Sequence, residues 1–265
     1  IRKLQDKAKT SYTLSTRRPR FDYESTVPSL NFREVDGALE VTAKNGLKMR
    51  AHTLVWHSQS FARTWTNIYK NSGDSPSYVK KAFELAYGML KAYNVQDKVT
   101  LFYNDYNTYF GIQQTLNLVN FINKDEPEKI CGGIGMQSHV DIKVPTIELY
   151  GTALEKFLAA GYEVQITELD VTINYDTNGS YSYADEKETN ADQAKYVGQL
   201  MKTILEKNRS RDKNVNPKGV TGITLWGLYD TISWRASCSP LLFDTGITDP
   251  KASFYEFINA AKSMG

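Results

Sequence analysis

Glu168 and Asp170 stand one residue apart at the end of the run Val164-Gln165-Ile166-Thr167-Glu168-Leu169-Asp170-Val171. A strand of this composition carries its polar groups to the rim of a buried sheet, where a carboxylate can be held ionised and aimed. Glu168 is the best candidate for a nucleophile in this chain, since a nucleophilic carboxylate must stay ionised at neutral pH and a neighbouring imidazole donor favours that state. The chain has three histidines, His52, His57 and His139. His52 and His139 fall on separate strands, without a Cys, Asp or Glu set of ligand spacing, so no metal site is expected.

Elements that could position these groups follow from the apolar periodicity. Short apolar strands are predicted over residues 48–55, 99–104, 132–138, 163–168 and 220–226. Between them lie amphipathic helices. The first opens at Ser75-Pro76 and carries Val79, Ala82, Phe83, Ala86 and Leu90 on one face. A second runs from Pro145 to a terminating Gly161 through Ile147, Leu154 and Leu158, and a third aligns Ala194, Val197, Met201, Ile204 and Leu205. Repeated strand–helix units imply an α/β fold with a parallel sheet, either doubly wound or closed as a barrel. No glycine-rich phosphate loop follows a strand, which lowers the nucleotide-binding reading. Polar residues instead cluster where strands end: His52 to Gln59, Asn104 to Asn107, Gln137 to His139, Glu168 to Asp170 and Trp226 to Asp230. That is how a barrel active site is assembled. A closed barrel needs eight strands; five are read here, residues 20–27 offer one more, and an incomplete barrel is the alternative.

The chain has 265 residues, 32 basic against 30 acidic, so no footprint for nucleic acid or a membrane surface stands out. No run of about 18 apolar residues is present to span a bilayer. Its 17 Tyr, 11 Phe and 4 Trp suit a sugar-binding cleft as well as an ordinary core. Cys131 precedes its strand and Cys238 follows the last one, so a disulfide between them is not expected.

Five motifs then occur in order: Ala51-His52-Thr53-Leu54-Val55-Trp56-His57-Ser58-Gln59, Asn104-Asp105-Tyr106-Asn107, Gly135-Met136-Gln137-Ser138-His139, Thr167-Glu168-Leu169-Asp170, and Trp226-Gly227-Leu228-Tyr229-Asp230 with Ser233-Trp234-Arg235. Over residues 33–262 the chain resembles the glycoside hydrolase family 10 endo-β-1,4-xylanases. The resemblance implies a single (β/α)8 TIM barrel over residues 1–265, with residues 1–32 poorly matched. It implies Glu168 as the nucleophile of a retaining glycosidase, with His139 and Asp170 orienting it. His52, Trp56 and Gln59 match residues that hold the sugar on the non-reducing side of the scissile bond; Asn104, Tyr106 and Gln137 join the substrate site, and Trp226 and Trp234 form cleft walls. His57 is read as packing. No cofactor is implied, the ligand is xylan or a xylo-oligosaccharide, and secretion or surface display is expected because a wall polymer cannot enter a cell. A monomer is expected, with pairing of exposed edge strands between copies as the alternative.

Retention requires a second carboxyl, roughly 5–5.5 Å from the first, that protonates the leaving oxygen and then activates water. In the family this is a glutamate following an asparagine at the end of the fourth strand. The present chain contains no Asn-Glu pair, and from Gln59 it passes quickly to residues 65–77, which resemble the segment after that motif. Asn104-Asp105 resembles a shortened pair, but Asn-Asp-Tyr-Asn is the family's ordinary fifth-strand sequence, so Asp105 is not the first choice. A catalytically silent or truncated relative that binds xylan, or keeps only the scaffold, is therefore the alternative function.

Overall fold

The computed structural model describes residues 11–12, 33–52, 77–174 and 188–263. The strand expected over 20–27 and the residues Trp56, His57 and Gln59 lie outside them. The chain divides into two compact units, Ile1–Ala82 and Phe83–Gly265.

In the first unit, β1 (Ser11–Tyr12) pairs in parallel with β2 (Lys48–Met49), and helix α1 (Arg33–Lys44) connects them. Helix α1 stops because Gly46 takes a left-handed conformation, φ 62°, with Gly46 N–H donating to Ala43 O and Leu47 N–H to Thr42 O. This paired closure satisfies carbonyls that the last turn would otherwise leave bare. Helix α2 (Ser77–Ala92) crosses the division between the units.

The second unit holds a five-stranded, all-parallel sheet: β3 (Phe102–Asp105), β4 (Gly133–Met136), β5 (His139–Asp141), β6 (Glu163–Thr172) and β7 (Val220–Leu225). Strand β6 is its spine, pairing with β4, β5 and β7. Helices α3 (Ile112–Asn123), α4 (Ile147–Ala159), α5 (Asn190–Ser210) and α6 (Ala252–Ser263) complete the unit. Thr146 caps α4 by accepting from Leu149 N–H, and Gly161, φ 74°, ends it. Thr189 and Asp192 form a reciprocal capping box on α5. That helix buries Ala194, Val197, Leu200, Met201 and Ile204, the face its periodicity predicts, although Leu205 is half-buried. Helices α1, α3 and α6 were not singled out by periodicity.

Three predicted strands change shape. The one predicted over 48–55 is reduced to Lys48–Met49, with residues 53–55 outside the described ones. The segment 132–138 breaks at Gln137 and Ser138, where Ser138 has φ 65°, and resumes as β5. The strand predicted to end at Glu168 continues to Thr172, because β5 pairs with Asp170–Thr172 and extends the ladder. Glu168 therefore sits within β6 rather than at its end.

Between Ile166 and Leu169, β6 carries one residue more than each neighbour. Met136 pairs with Ile166 but His139 with Asp170, and Ile223 pairs with Ile166 but Leu225 with Leu169. A bulge of this kind shifts the side-chain alternation by one. The core residues record the shift: Val164 and Ile166 are buried, then Leu169, Val171 and Ile173.

Candidate active site

The bulge turns the side chains of Thr167 and Glu168 toward a single partner, the amide of Asn104 at the end of β3. Thr167 Oγ1 donates to Asn104 Oδ1 at 2.5 Å, and Asn104 Nδ2 donates to Glu168 Oε1 at 2.9 Å. The threonine hydroxyl thereby fixes which way the amide points. Glu168 Oε2 faces His139 Nε2 at 3.2 Å, and the other ring nitrogen, Nδ1, faces Asp170 Oδ2 at 2.9 Å. Glu168 and Asp170 are 4% and 1% exposed, so these donors replace water around both anions.

Asp170 is the hub. It also accepts Trp234 Nε1–H at 2.8 Å on Oδ2 and Arg235 Nη1–H at 3.3 Å on Oδ1. Burial of His139 pulls its pKa down, but hydrogen bonds to Asp170 and Glu168, and their charges, outweigh it and leave the imidazole above its ordinary value. An imidazolium can donate to both carboxylates at once, whereas the neutral ring can donate to one. Trp226 and Trp234 stand edge-on to His139, with ring centres 6.0 and 5.1 Å away. Trp234 is pinned at its nitrogen yet 62% exposed, so much of its surface is open to solvent. The result is a buried carboxylate aimed by two donors beside two indoles, an arrangement suited to nucleophilic attack on a hydroxylated ring whose C–H face can lie against an aromatic one.

The sequence pattern of glycosyl hydrolase family 10 matches residues 5–74 and 61–260. The chain belongs to glycosyl hydrolase family 10. It is similar to endo-1,4-beta-xylanase A of Butyrivibrio fibrisolvens, 33% identical over 86% of this chain and 64% of that protein. It is equally identical, 33%, to the bifunctional endo-1,4-beta-xylanase XylA of Ruminococcus flavefaciens, over 90% of this chain and 21% of that one. The chain thus spans less than two thirds of the length of these relatives. Among solved structures it resembles a variant of xylanase 10C from Cellvibrio japonicus in complex with xylopentaose, with TM-score 0.71, 22% identity, and coverage of 94% of this chain and 59% of that one. At this identity the likeness speaks to fold alone, which is that of a (β/α)8 barrel, and the described residues supply a parallel sheet and helices of that class.

The family 10 pattern reaches back to residue 5, into the stretch 1–32 that the five motifs match poorly. Its two matches overlap at residues 61–74, within the region where the chain passes from Gln59 onward without an Asn-Glu pair. Of the residues singled out from sequence, Glu168, His139, Asp170, Asn104, Trp226 and Trp234 come together in the second unit. Gln137 contributes through its backbone, its carbonyl accepting Glu168 N–H at 2.8 Å. Tyr106 is 53% exposed on the loop after β3, and His52 is half-buried in the first unit. Asp105 accepts from Tyr103 OH at 2.5 Å and from Tyr106 N–H at 2.8 Å, one donor on each oxygen. Both of its oxygens are thus engaged by neighbours in the same segment. Thr167, Gly135 and Arg235 join the site without having been assigned a role from sequence. Among the described residues no group of three or more His, Cys, Asp or Glu is placed to hold a metal ion, and no helix is long and apolar enough to cross a membrane.

Proposed function

We propose that this site cleaves internal β-1,4-xylosidic bonds with retention, with Glu168 as nucleophile. The observation that carries the reading is the pair of donors, Asn104 Nδ2 and His139 Nε2, one to each oxygen of a buried carboxylate. A Glu168 oxygen would bond to the anomeric carbon as the bond to the leaving oxygen breaks and that oxygen takes up a proton; water would then attack the anomeric carbon, giving a proton back as it releases the sugar and restores the carboxylate. The names of the relatives support xylan or a xylo-oligosaccharide as ligand. Trp226 and Trp234 are cleft walls in this reading, Asn104, Tyr106 and Gln137 line the site, and His52, Trp56 and Gln59 hold the sugar. The protein works as a secreted or surface-displayed monomer, with no cofactor.

One observation favours a second reading, a relative that binds xylan without cleaving it: the chain has no Asn-Glu pair to supply a proton donor. Hydrolysis of xylan and of an aryl β-xylobioside separates the two. The phenolate leaves without protonation, so a site with its nucleophile but no acid releases it slowly, and azide speeds turnover by attacking the glycosyl-enzyme. Glu168→Gln should abolish both reactions. Activity on plain xylan that survives Glu168→Gln sinks the nucleophile assignment, and no turnover of either substrate leaves the binding reading.

A further inference from the structure

We propose that Arg235 is a positioning residue of this site: by sharing the charge of Asp170 it limits how tightly His139 holds its proton, and so how firmly Glu168 is tied. The inference rests on the reading of Glu168 as nucleophile.

The Asp170 side chain is wholly buried, and a buried anion needs compensating charge. Among the described residues two cations reach it. His139 takes Oδ2 and Arg235 takes Oδ1, so the carboxylate is divided between them. Arg235 is 14% exposed and also lies over the Trp234 ring, 4.5 Å from its centre. Trp234 in turn donates to the Asp170 oxygen that His139 uses. A planar guanidinium can make the stacking contact and the carboxylate contact together. Without it, the imidazolium of His139 would be the remaining cation on a buried carboxylate. It would then bind its proton more strongly and hold both hydrogen bonds, including the one to Glu168.

Among the described residues, the other ionisable groups around His139 do not substitute for Arg235. Glu168 and Asp170 on β6 are both anions. Asp141, on β5 itself, is a carboxylate whose burial pushes its pKa up, with Lys143 N–H and Thr172 Oγ1 as its donors. Tyr109, in the loop after β3, senses both Asp170 and Arg235, but burial pushes its phenol up to about 12 and it stays neutral. Among the described residues, Arg235 is therefore the second cation facing Asp170, and its removal changes that charge.

The test is an NMR pH titration of the imidazole rings in the substrate-free protein. Three histidines make the spectrum assignable, His139 being the signal absent from His139→Gln. Arg235→Gln should raise the His139 titration by about one pH unit, a tenfold gain in proton affinity, and Arg235→Lys should bring it back toward the native value. If Arg235→Gln alone does not fold, Asp170→Asn with Arg235→Gln removes the buried anion together with its cation. His139 must then titrate below native, and restoring Arg235 in that background must change it little. An unmoved His139 in Arg235→Gln overturns the proposal, as does a large effect of Arg235 once Asp170 is neutral. Because the titration needs no substrate, its failure removes this inference alone, and the xylobioside assay tests the nucleophile separately.

Discussion

Gly135 is the most informative single position to perturb, because it fills no space and yet fixes where Asn104 sits. It pairs with Asn104 across β3 and β4. A Cβ at residue 135 would lie 2.4 Å from Asn104 Oδ1 and 3.0 Å from Thr167 Cγ2, whereas ordinary contacts begin at 3.4 Å. Gly135→Ala must therefore push the Asn104 amide by about 1 Å. The amide has no slack, being bonded to Thr167 at one end and Glu168 at the other at 2.5 and 2.9 Å. Misplacement of this size in a catalytic constellation costs about 10²-fold in rate, or about 2.7 kcal/mol of barrier. Loss of two hydrogen bonds costs about 1–3 kcal/mol of stability, offset by roughly 0.5–1 kcal/mol from replacing a strand glycine. We expect kcat on an aryl β-xylobioside to fall about 100-fold with KM little changed, and the fold to survive. Gly222→Ala serves as the control, since its nearest neighbour, Gln165, is at 3.8 Å and the change should leave kcat unaltered. In an Asn104→Ala background, Gly135→Ala should add almost nothing, since the clash and its consequence are both gone. A native kcat in Gly135→Ala, or full additivity with Asn104→Ala, refutes the reasoning.

Two further outcomes concern stability. Lys251 Nζ donates to Asp230 Oδ2 at 2.8 Å and to Ser239 O at 2.7 Å, while Leu241 N–H occupies Asp230 Oδ1. Burial pushes the Asp230 carboxyl up and the Lys251 ammonium down, and each partner only partly offsets this. Lys251→Met should therefore cost about 3–5 kcal/mol in urea unfolding by stranding the carboxylate, while Lys251→Met with Asp230→Leu recovers most of it; a single change costing under about 1 kcal/mol contradicts this. On pH, burial alone would raise the Glu163 pKa, but bonds from Thr221, Lys218 and Thr100 outweigh it and hold the carboxyl below its ordinary 4.5. Its stabilisation is present above that value and drains away as pH falls through the folded pKa. His139 is raised above 6.5, so its contribution is full below that value and lost as pH rises through its folded pKa. Thermal melts should show Tm falling on both sides, with Glu163→Gln flattening the acid limb; an unchanged acid limb counts against the assignment.

Much of the site was legible because its residues lie in short contiguous motifs. Glu168 and Asp170 share a strand, Asn104 lies next to the end of β3 and His139 opens β5, so an ordered run of parallel strands was enough to bring them together. The bulge was legible too, in the slip of the apolar pattern from Val164 and Ile166 to Leu169, Val171 and Ile173. A strand expected to stop at Glu168 hides that signal, because Leu169, Val171 and Ile173 all lie beyond it. Helix α3 escaped because its apolar residues, Ile112, Leu116, Leu118, Val119, Phe121 and Ile122, are spread around its axis, so that no single stripe stands out. Asp230 and Lys251 are 21 residues apart and meet only through the loops beyond β7, so no local spacing could announce them. Arg235 follows an exposed tryptophan, where an arginine reads as a solvated rim charge until the buried Asp170 beneath it is seen.

The extra residue in β6 unites these features. A regular strand offers alternate residues to a given face, so it could present Thr167 or Glu168 to Asn104 but not both. With Glu168 alone, the Asn104 amide would be free to turn its oxygen toward the carboxylate, and two acceptors would face each other. With Thr167 alone, there would be no carboxylate to aim. The bulge places both on one side, where the hydroxyl fixes the amide and the amide fixes the carboxylate. It also shifts the strand so that Asp170 returns to the same face two residues on, opposite His139. One insertion in one strand thereby sets the donor on each oxygen of Glu168, and the irregularity in the sheet is part of the site it serves.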